Sequence, residues 1–328
     1  MKLASIETVV AVSAHPNADS LDLAQVLGWQ CVVKRGQFKS GDRVVFIPID
    51  TILPDSAPWA SFLKKGDRLI RVKTIKLRGQ VSRGLVFSTD ILPAEMRNGQ
   101  IGLDVGVALG VKKFEKEVPM NAGDMLGAFP QWLVSKTDED NGLSYPEIVD
   151  EVLKHPVTVT LKLDGSSCTV VVADGVITKV CSRNVDLAES DSSIFWMAAK
   201  KLTIPEGFSA VIQGELMGPG IQGNQLGLSE PELYVYQVRR DIIGVGRPEW
   251  VDYESMSRTC AMIGARVVPC LYHKVACVKA ELERLASDVL LPNQLPAEGI
   301  VVRPSDYRMS GTGRPLGFKL INPNYKED

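Results

Sequence analysis

Short apolar, β-branched segments alternate with polar turn segments through the first 110 or so residues of the chain. The strand-like segments are VVAVSAH, WQCVVK, DRVVFIPI, RLIRVKTIKL and GLVFS. The turn-forming segments PNAD, FKSGD, LPDSAP, KKGD and RGQVSR separate them. Because Gly, Pro, Asn and Asp favour turns, the pattern predicts five short strands. Five strands in about a hundred residues are typical of a small OB-type β-barrel.

From about residue 126 onward, strand-like and helical patterns are mixed. The predicted strands are VTVTLKLDG, CTVVVADGVI, SAVIQGEL, ELYVYQVRR and GIVVRP, and helical periodicity occurs in DSSIFWMAAKKL, ESMSRTCAMIG and VKAELERLASDVL. Strands outnumber helices and do not alternate with them, so an α+β fold is favoured over a doubly wound parallel sheet. We predict an OB-type barrel over 1–115, a linker near 111–125 and a second domain over 120–328, built on antiparallel sheets with flanking helices.

The composition is that of a soluble globular protein with room for two domains: 328 residues, of which 45% are hydrophobic and 23% charged. No apolar run approaches the ~20 residues that span a bilayer, and MKLASIETVV lacks the apolar core of a signal peptide. The six cysteines form no CxxC pair, which argues against a structural zinc site. We expect reduced thiols, a cytoplasmic location, no membrane contact and no stable protein partner.

The net charge of −2 conceals a difference between the two halves. Residues 1–118 carry 17 basic against 12 acidic side chains, a balance of +5, whereas residues 119–328 carry 20 against 27, a balance of −7. Eight basic side chains and one acidic one lie within residues 64–83. This segment could neutralise several phosphates of a nucleic acid. It could equally be a solvated edge strand whose lysines prevent aggregation, and charge alone does not decide between the two.

One motif in the second half is misleading. Residues 218–223, GPGIQG, match the G-x-G-x-x-G pattern of dinucleotide-binding loops. In such loops a helix begins at the glycines, and its N-terminus binds the pyrophosphate. Here a proline lies inside the motif and the turn-rich segment NQLGLSEPEL follows. We therefore predict a loop after a strand, without a nucleotide-binding role.

A second motif, VTLKLDGSS at 159–167, places Lys162 at the end of a β segment before an Asp-Gly turn. Such a lysine can point into a pocket, and Gly165 would let a ligand approach the backbone. Lysine is a nucleophile only when deprotonated, which requires its ordinary pKa of ~10.4 to be lowered. On this motif alone, an exposed lysine at the end of a strand is the more common explanation.

Further segments follow this lysine in a fixed order. They are Ser182-Arg183-Asn184, Gln213-Gly214-Glu215-Leu216, Tyr234-Val235-Tyr236, Glu298-Gly299-Ile300-Val301-Val302-Arg303 and Gly317-Phe318-Lys319-Leu320. With KLDG, the series resembles motifs I, III, IIIa, IV and V of the covalent nucleotidyltransferases, which are the ATP-dependent DNA and RNA ligases and the mRNA capping enzymes. The resemblance covers nearly all of residues 130–328, and five motifs in the correct order are highly specific.

Details of these motifs are most similar to RNA ligases, namely SRN after motif I, EGIVVR at motif IV and FKLINPNY at the end. HPNADSLDLAQVLGW and IKLRGQVSRGLVF resemble the OB domains that bind tRNA in synthetase-associated proteins. An N-terminal OB domain before such a core resembles the Deinococcus-type RNA ligases, and KTDED at 136–140 is similar to a lysine-acidic segment of that group. DNA ligases and capping enzymes usually carry their OB domain after motif V, and nine residues follow Lys319 here, so we expect no such domain.

The resemblance implies an ATP-dependent RNA ligase that joins a 3′-hydroxyl to a 5′-phosphate, at nicks, through AMP bound covalently to Lys162. Lys162, Glu298 and Lys319 would be catalytic. The residues implied to bind the nucleotide are Lys162, Asp164, Gly165, Arg183, Glu215, Tyr236, Arg303 and Lys319. Glu298 and Glu215 would hold Mg²⁺ or Mn²⁺, since carboxylates suit hard cations. The partner would be RNA or a nicked duplex that contains RNA.

Two departures from the family pattern concern the phosphate contacts. Motif V of many relatives has two lysines separated by one residue, and the first is replaced here by Gly317. The basic residue that ends motif IV is often lysine and here is Arg303, which keeps the charge but cannot lose its proton. Two other functions are also considered: a capping-type guanylyltransferase that uses GTP, and a non-catalytic RNA-binding OB protein.

Overall fold

The chain forms two compact units, of which the computed structural model describes residues 2–55, 57–63, 70–114, 122–241, 248–311 and 314–325. Unit 1 comprises Met1–Lys116 together with Gly142–Pro146, and unit 2 comprises Glu117–Asn141 together with Glu147–Asp328. The predicted domain limits, 1–115 and 120–328, stay a prediction. Nothing in the sequence pattern indicated that residues 142–146 belong to unit 1.

Unit 1 is built almost entirely from short strands. They are β1 (Ser5–Ala14), β2 (Leu21–Val26), β3 (Trp29–Lys34), β4 (Arg43–Ile47), β5 (Thr51–Leu53), β6 (Ile70–Arg71), β7 (Thr74–Leu77), β8 (Gln80–Arg83), β9 (Leu85–Ser88) and β10 (Lys112–Lys113), with one short helix, α1 (Gly106–Leu109). A five-stranded sheet has the order β3-β2-β1-β4-β9, a three-stranded sheet has the order β10-β5-β6, and β7 pairs with β8. The apolar side chains of β1, β4 and β9 enclose the core of this unit.

The sequence pattern missed β2, β5, β8 and β10 of unit 1, and β2 and β8 show two different reasons. In β2, LDLAQV alternates partly exposed and buried positions, but polar residues lie on both faces, since Asp22 is buried and Gln25 is exposed. In β8, QVSR follows a turn at Arg78 and Gly79, whose φ angles of 44° and 91° are both positive. Two positive φ angles define the tight turn of a hairpin, so this segment pairs with β7 and does not act as a spacer. Residues 64–69 of the basic segment lie outside the described residues.

In its described residues, unit 2 combines two sheets with four α-helices. Its strands are β11 (Met125–Ala128), β12 (Asp140–Asn141), β13 (Val157–Lys162), β14 (Ser166–Ala173), β15 (Val176–Cys181), β16 (Val185–Leu187), β17 (Ala210–Met217), β18 (Glu232–Asp241), β19 (Pro248–Trp250), β20 (Arg266–Val267), β21 (Cys270–Val275), β22 (Gly299–Pro304) and β23 (Phe318–Ile321). Its helices are α2 (Pro146–Val152), α3 (Ile194–Ala199), α4 (Tyr253–Ile263) and α5 (Lys279–Asp288). Pro146, the first residue of α2, is assigned to unit 1.

The larger sheet of unit 2 runs β11-β16-β15-β14-β17-β18-β19, with β20 beside β18, and the second runs β12-β23-β22-β13-β21. Nearly all pairs are antiparallel, and the two parallel pairs, β12 with β23 and β18 with β20, involve two-residue strands. The apolar segment CTVVVADGVI divides at Asp174-Gly175, where two positive φ angles turn β14 into β15. The predicted α+β class, with an OB-type barrel before a domain of antiparallel sheets, is confirmed.

Helices α3 and α4 cover one face of the larger sheet and form the main core with it. Residues 218–223 follow β17 and lead into a short 3₁₀ turn, as predicted, and not into a helix. All six cysteines are free thiols. Within the described parts of the chain, no helix has both the length and the apolar character needed to cross a membrane.

Candidate active site

One face of the second sheet of unit 2 carries several of the predicted site residues. Residues alternate along a strand, so Leu161 is buried on one side of β13 while Lys162 points to the other. The register pairs Lys162 with Gly299, Thr160 with Val301, and Thr158 with Arg303. On the far side of β22, Val301 pairs with Lys319. Side chains that are directly paired lie on the same face, so Lys162, Lys319 and Arg303 belong to three successive rows of this face.

The nucleophile predicted from the sequence forms a short ion pair. Lys162 Nζ donates a hydrogen bond to Glu298 Oε2 at 2.5 Å, and Glu298 directly precedes β22. Burial favours the neutral amine, but the carboxylates of Glu298, Glu215 and Asp164 together outweigh it. The pKa of Lys162 is therefore raised above its ordinary value, and in the absence of ligands this side chain is an ammonium.

Glu215 lies across the turn from Lys162, near the end of β17. Its Oε1 accepts a hydrogen bond from the backbone N–H of Gly165 at 3.1 Å. A Cβ atom at Gly165 would be 2.3 Å from the carbonyl oxygen of Leu216, so this turn requires glycine. Burial and the neighbouring carboxylates of Glu298 and Asp164 raise the pKa of Glu215 to about 7, despite the opposing effect of the Lys162 charge.

Two further residues complete this end of the site. Tyr325 donates a hydrogen bond from its hydroxyl to Asp164 Oδ2 at 2.6 Å and accepts one from the side-chain amide of Gln225. Sequence analysis did not assign a role to Tyr325, although the segment NPNY that contains it was noted for its resemblance to RNA ligases. Lys319 lies one row from Lys162. Its pKa is lowered by burial and by the charge of Lys162.

Arg183, Tyr236 and Arg303 are all held by the segment 136–139, which we call the strap. Arg183 Nη2 donates to both carboxylate oxygens of Asp138, at 2.6 and 2.8 Å. The hydroxyls of Tyr236 and Thr137 share a hydrogen bond of 2.6 Å. Arg303 forms an ion pair with Glu139. The sequence indicated a similarity of this segment to one in RNA ligases but none of these contacts.

The structure therefore divides the predicted residues into two groups. Lys162, Asp164, Gly165, Glu215 and Glu298 meet around the end of β13. Arg303 is four residues farther along β22 than Gly299, or about 13 Å at ~3.3 Å per residue. Its guanidinium carbon lies 5.8 Å from the centre of the Tyr236 ring, and its Nη1 donates to the Tyr236 carbonyl oxygen at 2.9 Å.

Arg303 and Tyr236 form the second group, and a cavity opens beside them. Its lining includes Thr158, Thr160, Tyr236, Gln237 and Arg303. Burial raises the pKa of the Tyr236 phenol above its ordinary value, so the hydroxyl stays protonated and the ring is neutral. A neutral aromatic ring at the edge of a cavity can stack on a planar base. This end of the site is therefore suited to the base of a nucleotide, and the Lys162 end to its phosphates.

The acidic residues near Lys162 suit a hard divalent cation. Within the described residues, no group of three or more His, Cys, Asp or Glu side chains is arranged to hold a metal ion. Mg²⁺ usually retains several waters and binds through one or two carboxylates together with substrate phosphates. The crowding that raises the pKa of Glu215 would be relieved by a cation. Glu215 and Glu298 thus fit a metal that a nucleotide shares.

The fold and the site together define a nucleotidyltransferase-type ligase. An OB-fold domain model matches residues 3–89, and an RNA ligase model matches residues 155–321. The second match covers half of the chain, and the protein belongs to the RNA ligase family. The two matches imply a nucleic-acid substrate. A comparison with curated proteins gives no match.

Solved structures of the RNA ligase of Naegleria gruberi are similar to the whole chain. A variant without ligand is 30% identical, with a TM-score of 0.83, and the match covers 98% of this chain and 97% of that one. A variant with ATP and manganese is 29% identical, with the same coverage and a TM-score of 0.83. A variant with AMP and manganese is 29% identical, again over 98% and 97%, with a TM-score of 0.82.

Proposed function

We propose that the protein is an ATP-dependent RNA ligase that forms a lysyl-AMP intermediate at Lys162. The observation that carries this proposal is the 2.5 Å ion pair between Lys162 and Glu298, beside the carboxylates of Glu215 and Asp164. Acidic groups gathered around one buried lysine are typical of functional sites, where a cation and a nucleophile act side by side. The Naegleria gruberi ligase, which has been solved with ATP and manganese, supports the choice of nucleotide.

The reaction proceeds in three steps: two transfers of the adenylyl group, followed by formation of the phosphodiester bond with release of AMP. The neutral amine of Lys162 attacks the α-phosphorus of ATP, a P–N bond forms, and the bond to pyrophosphate breaks. A 5′-phosphate oxygen then attacks the same phosphorus and releases Lys162. Finally, a 3′-hydroxyl attacks the activated 5′-phosphate, and AMP leaves as the phosphodiester bond forms. Each transfer depends mainly on positioning and on stabilising charge around phosphorus.

The first transfer requires Lys162 to lose the proton that its carboxylate neighbours retain. Glu298 and Glu215 would hold Mg²⁺ or Mn²⁺, which when bound supplies positive charge that offsets these carboxylates and the charge of the α-phosphate. With the acidic charge offset, burial dominates and favours the neutral amine of Lys162. Glu298 already accepts the hydrogen bond from Lys162 Nζ and so orients the amine, and the proton that Lys162 loses passes to solvent.

The remaining side chains bind and orient the nucleotide. Lys319, one row from Lys162 on the same face, would contact the α-phosphate. Arg183, whose guanidinium is fixed by Asp138, would contact the ribose or a phosphate. Tyr236 would stack on adenine beside the cavity. Asp164 and Gly165 shape the turn that faces Lys162, and Arg303 would act at the base end of the site, since it lies two rows away from Lys162.

Unit 1 would bind the RNA strands, and nicked duplexes that contain RNA are the proposed substrate. Its β7–β8 hairpin exposes Lys76 and Arg78 beside Ile75, whose side chain is 46% exposed. Exposed cations next to apolar surface suit a phosphate backbone with neighbouring bases. The six free thiols suit a reducing compartment, for which we propose the cytoplasm.

One labelling experiment tests the adenylyl donor. The protein is incubated with α-labelled ATP or GTP and Mg²⁺, and the products are separated on a denaturing gel. The proposal expects a covalent AMP label that Lys162→Ala abolishes and no GMP label. A GMP label would indicate a capping-type guanylyltransferase, and no label with either nucleotide would indicate a non-catalytic protein. Sealing is then measured on nicked duplexes whose 5′-phosphate strand is RNA or DNA.

A further inference from the structure

The strap at residues 136–139 has an extended, alternating arrangement. Its even-numbered side chains face the loop between β15 and β16: Lys136 Nζ donates to Asn184 Oδ1 at 2.6 Å, and Asp138 holds Arg183. Its odd-numbered side chains face the base end of the site, through Thr137 to Tyr236 and through Glu139 to Arg303. This alternation, with a period of two, is that of an extended strand. Four consecutive residues of the strap thus contact Asn184, Tyr236, Arg183 and Arg303.

Both ends of the strap are attached to the sheets that carry the site. At one end, the side-chain amide of Gln213 in β17 donates to the carbonyl oxygen of Ser135 at 3.2 Å. At the other end, the strap continues into β12, where Asn141 pairs with Lys319 of β23. The strap therefore spans from the larger sheet to the second sheet, and its side chains are held at fixed positions.

Arg303 reaches the strap because of the residue opposite to it. Val302 pairs with Phe318 in the antiparallel register of β22 and β23, so Arg303 lies opposite Gly317. A Cβ atom at Gly317 would be 2.8 Å from Cγ of Arg303 and 3.1 Å from the carbonyl oxygen of Val302. Any side chain at 317 would therefore displace the Arg303 stem. The Arg303 side chain can take its observed direction because glycine, and not lysine, occupies position 317.

The ion pair between Glu139 and Arg303 is largely withdrawn from solvent, with side-chain exposures of 19% and 21%. Burial opposes the ionised carboxyl, but Arg303 and Lys319 together hold the pKa of Glu139 below its ordinary value. Glu139 is therefore anionic at neutral pH, and Arg303 keeps its charged partner. In the described structure, Arg303 Nε is buried without a hydrogen-bond partner, so the guanidinium is held through its two terminal nitrogens.

We propose that Glu139 is a positioning residue for ATP binding, which fixes Arg303 against Tyr236 at the base end of the nucleotide site, with Gly317 providing the space. The inference deepens the proposed function and rests on it. Since Arg303 is two rows from Lys162, its contacts with the nucleotide are the same before and during the transfer at phosphorus. Loss of such contacts raises KM and leaves kcat nearly unchanged.

The test measures single-turnover AMP transfer to the full-length protein over a series of ATP concentrations, for Glu139→Gln, Gly317→Ala and the double variant. Glutamine keeps the shape of Glu139 and removes the charge, and alanine at 317 displaces Arg303 without touching Glu139. Each single variant is expected to raise the KM for ATP about tenfold, with a maximal rate within threefold of the wild type. Because both act through Arg303, the double variant should be no worse than either single one.

Glu232→Gln is the matched control. Glu232 is 27% exposed and pairs with Lys201 and Arg266 at 3.2 Å each, outside the site, so its loss should leave the KM unchanged. Thermal unfolding checks each fold, and if Glu139→Gln does not fold, Gly317→Ala carries the test. An unchanged KM, a lowered maximal rate at constant KM, or an additive double variant overturns the inference. Equilibrium binding of ATP separates the two proposals, because a wild type that binds ATP without forming an adduct contradicts only the function assigned to Lys162.

Discussion

Lys162 Nζ and Glu298 Oε2 lie 2.5 Å apart, although the two residues are separated by 136 positions in the sequence. The antiparallel pairing of β13 with β22 brings them together at one end of both strands. The ion pair positions Lys162 and also keeps it protonated. An ammonium group has no lone pair with which to attack phosphorus, so the lysine is unreactive in this state. The same carboxylates that would attract a metal ion keep Lys162 protonated until that ion arrives.

AMP transfer to the protein should therefore accelerate with rising pH. The raised pKa of Lys162 leaves less neutral amine at every pH than an ordinary lysine would have, and the neutral fraction increases as pH rises toward that pKa. Between pH 6 and 8 the single-turnover rate should increase by up to about tenfold per pH unit, and a chelator should stop it. A rate that is independent of pH and of divalent metal would contradict the assignment of Lys162 as an ammonium.

Lys162→Ala should abolish the covalent adduct, because it removes the amine that the proposal assigns to the attack on the α-phosphorus. The substitution also leaves Glu298, Glu215 and Asp164 without the cation that their charges share, so some loss of stability at high pH is expected. Adduct yield on a denaturing gel and circular dichroism of the folded protein are the two measurements. A labelled adduct at normal yield in the variant would mean that a different lysine is the nucleophile.

Lys319→Ala should slow adduct formation while leaving Lys162 in place. Loss of one preorganised contact to a developing charge typically costs about 3–4 kcal/mol, or a few hundredfold in rate. Lys319 pairs with Val301 in the row next to that of Lys162, and its truncation to alanine introduces no clash. A variant whose transfer rate is within about threefold of the wild type would show that Lys319 does not contact the α-phosphate.

Glu215→Gln should stabilise the fold at high pH while it impairs AMP transfer. The pKa of Glu215 is about 7 in the folded protein against an ordinary value of 4.5, so the folded state binds more protons between these values and loses stability as pH rises through them. Above pH 7 the cost approaches about 3 kcal/mol, an upper estimate. Glutamine can still accept the hydrogen bond from Gly165. The free energy of unfolding, measured with denaturant, should increase in the variant at pH 8 but not at pH 5. Equal changes at both pH values would contradict the raised pKa of Glu215.

The sequence allowed prediction of the residues around Lys162 because each lies at a strand end marked by a local pattern. β13 is a run of β-branched residues that stops at Lys162, and Glu298 directly precedes the similar run of β22. The order of these motifs then indicated the family. Strand β2 escaped prediction because its buried face includes Asp22 while Leu21 and Leu23 lie on the other face, so that its pattern does not alternate apolar with polar residues.

The contacts of the strap could not be predicted in this way. The pairing of Glu139 with Arg303, and that of Tyr325 with Asp164, join residues more than 160 positions apart. Such contacts depend on the register of strands that are distant in sequence, which periodicity within one strand does not define. In the sequence, Arg303 and Gly317 were two separate departures from the family pattern. Only the register of β22 and β23 shows that the two residues lie opposite each other.

The last prediction concerns the β7–β8 hairpin of unit 1, which lies within the described part, residues 70–83, of the basic segment. Asn17 Nδ2 donates to the carbonyl oxygen of Arg78 at 3.0 Å, and His15 Nε2 lies 3.1 Å from that of Leu77. These contacts fix the hairpin tip and leave the side chains of Lys76 and Arg78 exposed. If these cations hold phosphates, they act on RNA affinity alone, since the residues assigned to AMP transfer all lie in unit 2.

Replacement of Lys76 and Arg78 together by alanine should therefore weaken binding of a nicked RNA duplex about tenfold at moderate salt. The dependence of log affinity on log salt should become shallower by about 2, because each phosphate contact contributes about one unit to the slope. AMP transfer from ATP should keep the wild-type rate. The matched control replaces Lys39 and Lys112, two exposed lysines of the same unit, and changes the net charge equally. Equal effects of the two double variants would mean that the hairpin contributes only general charge and that the basic segment is a solvated edge of the barrel.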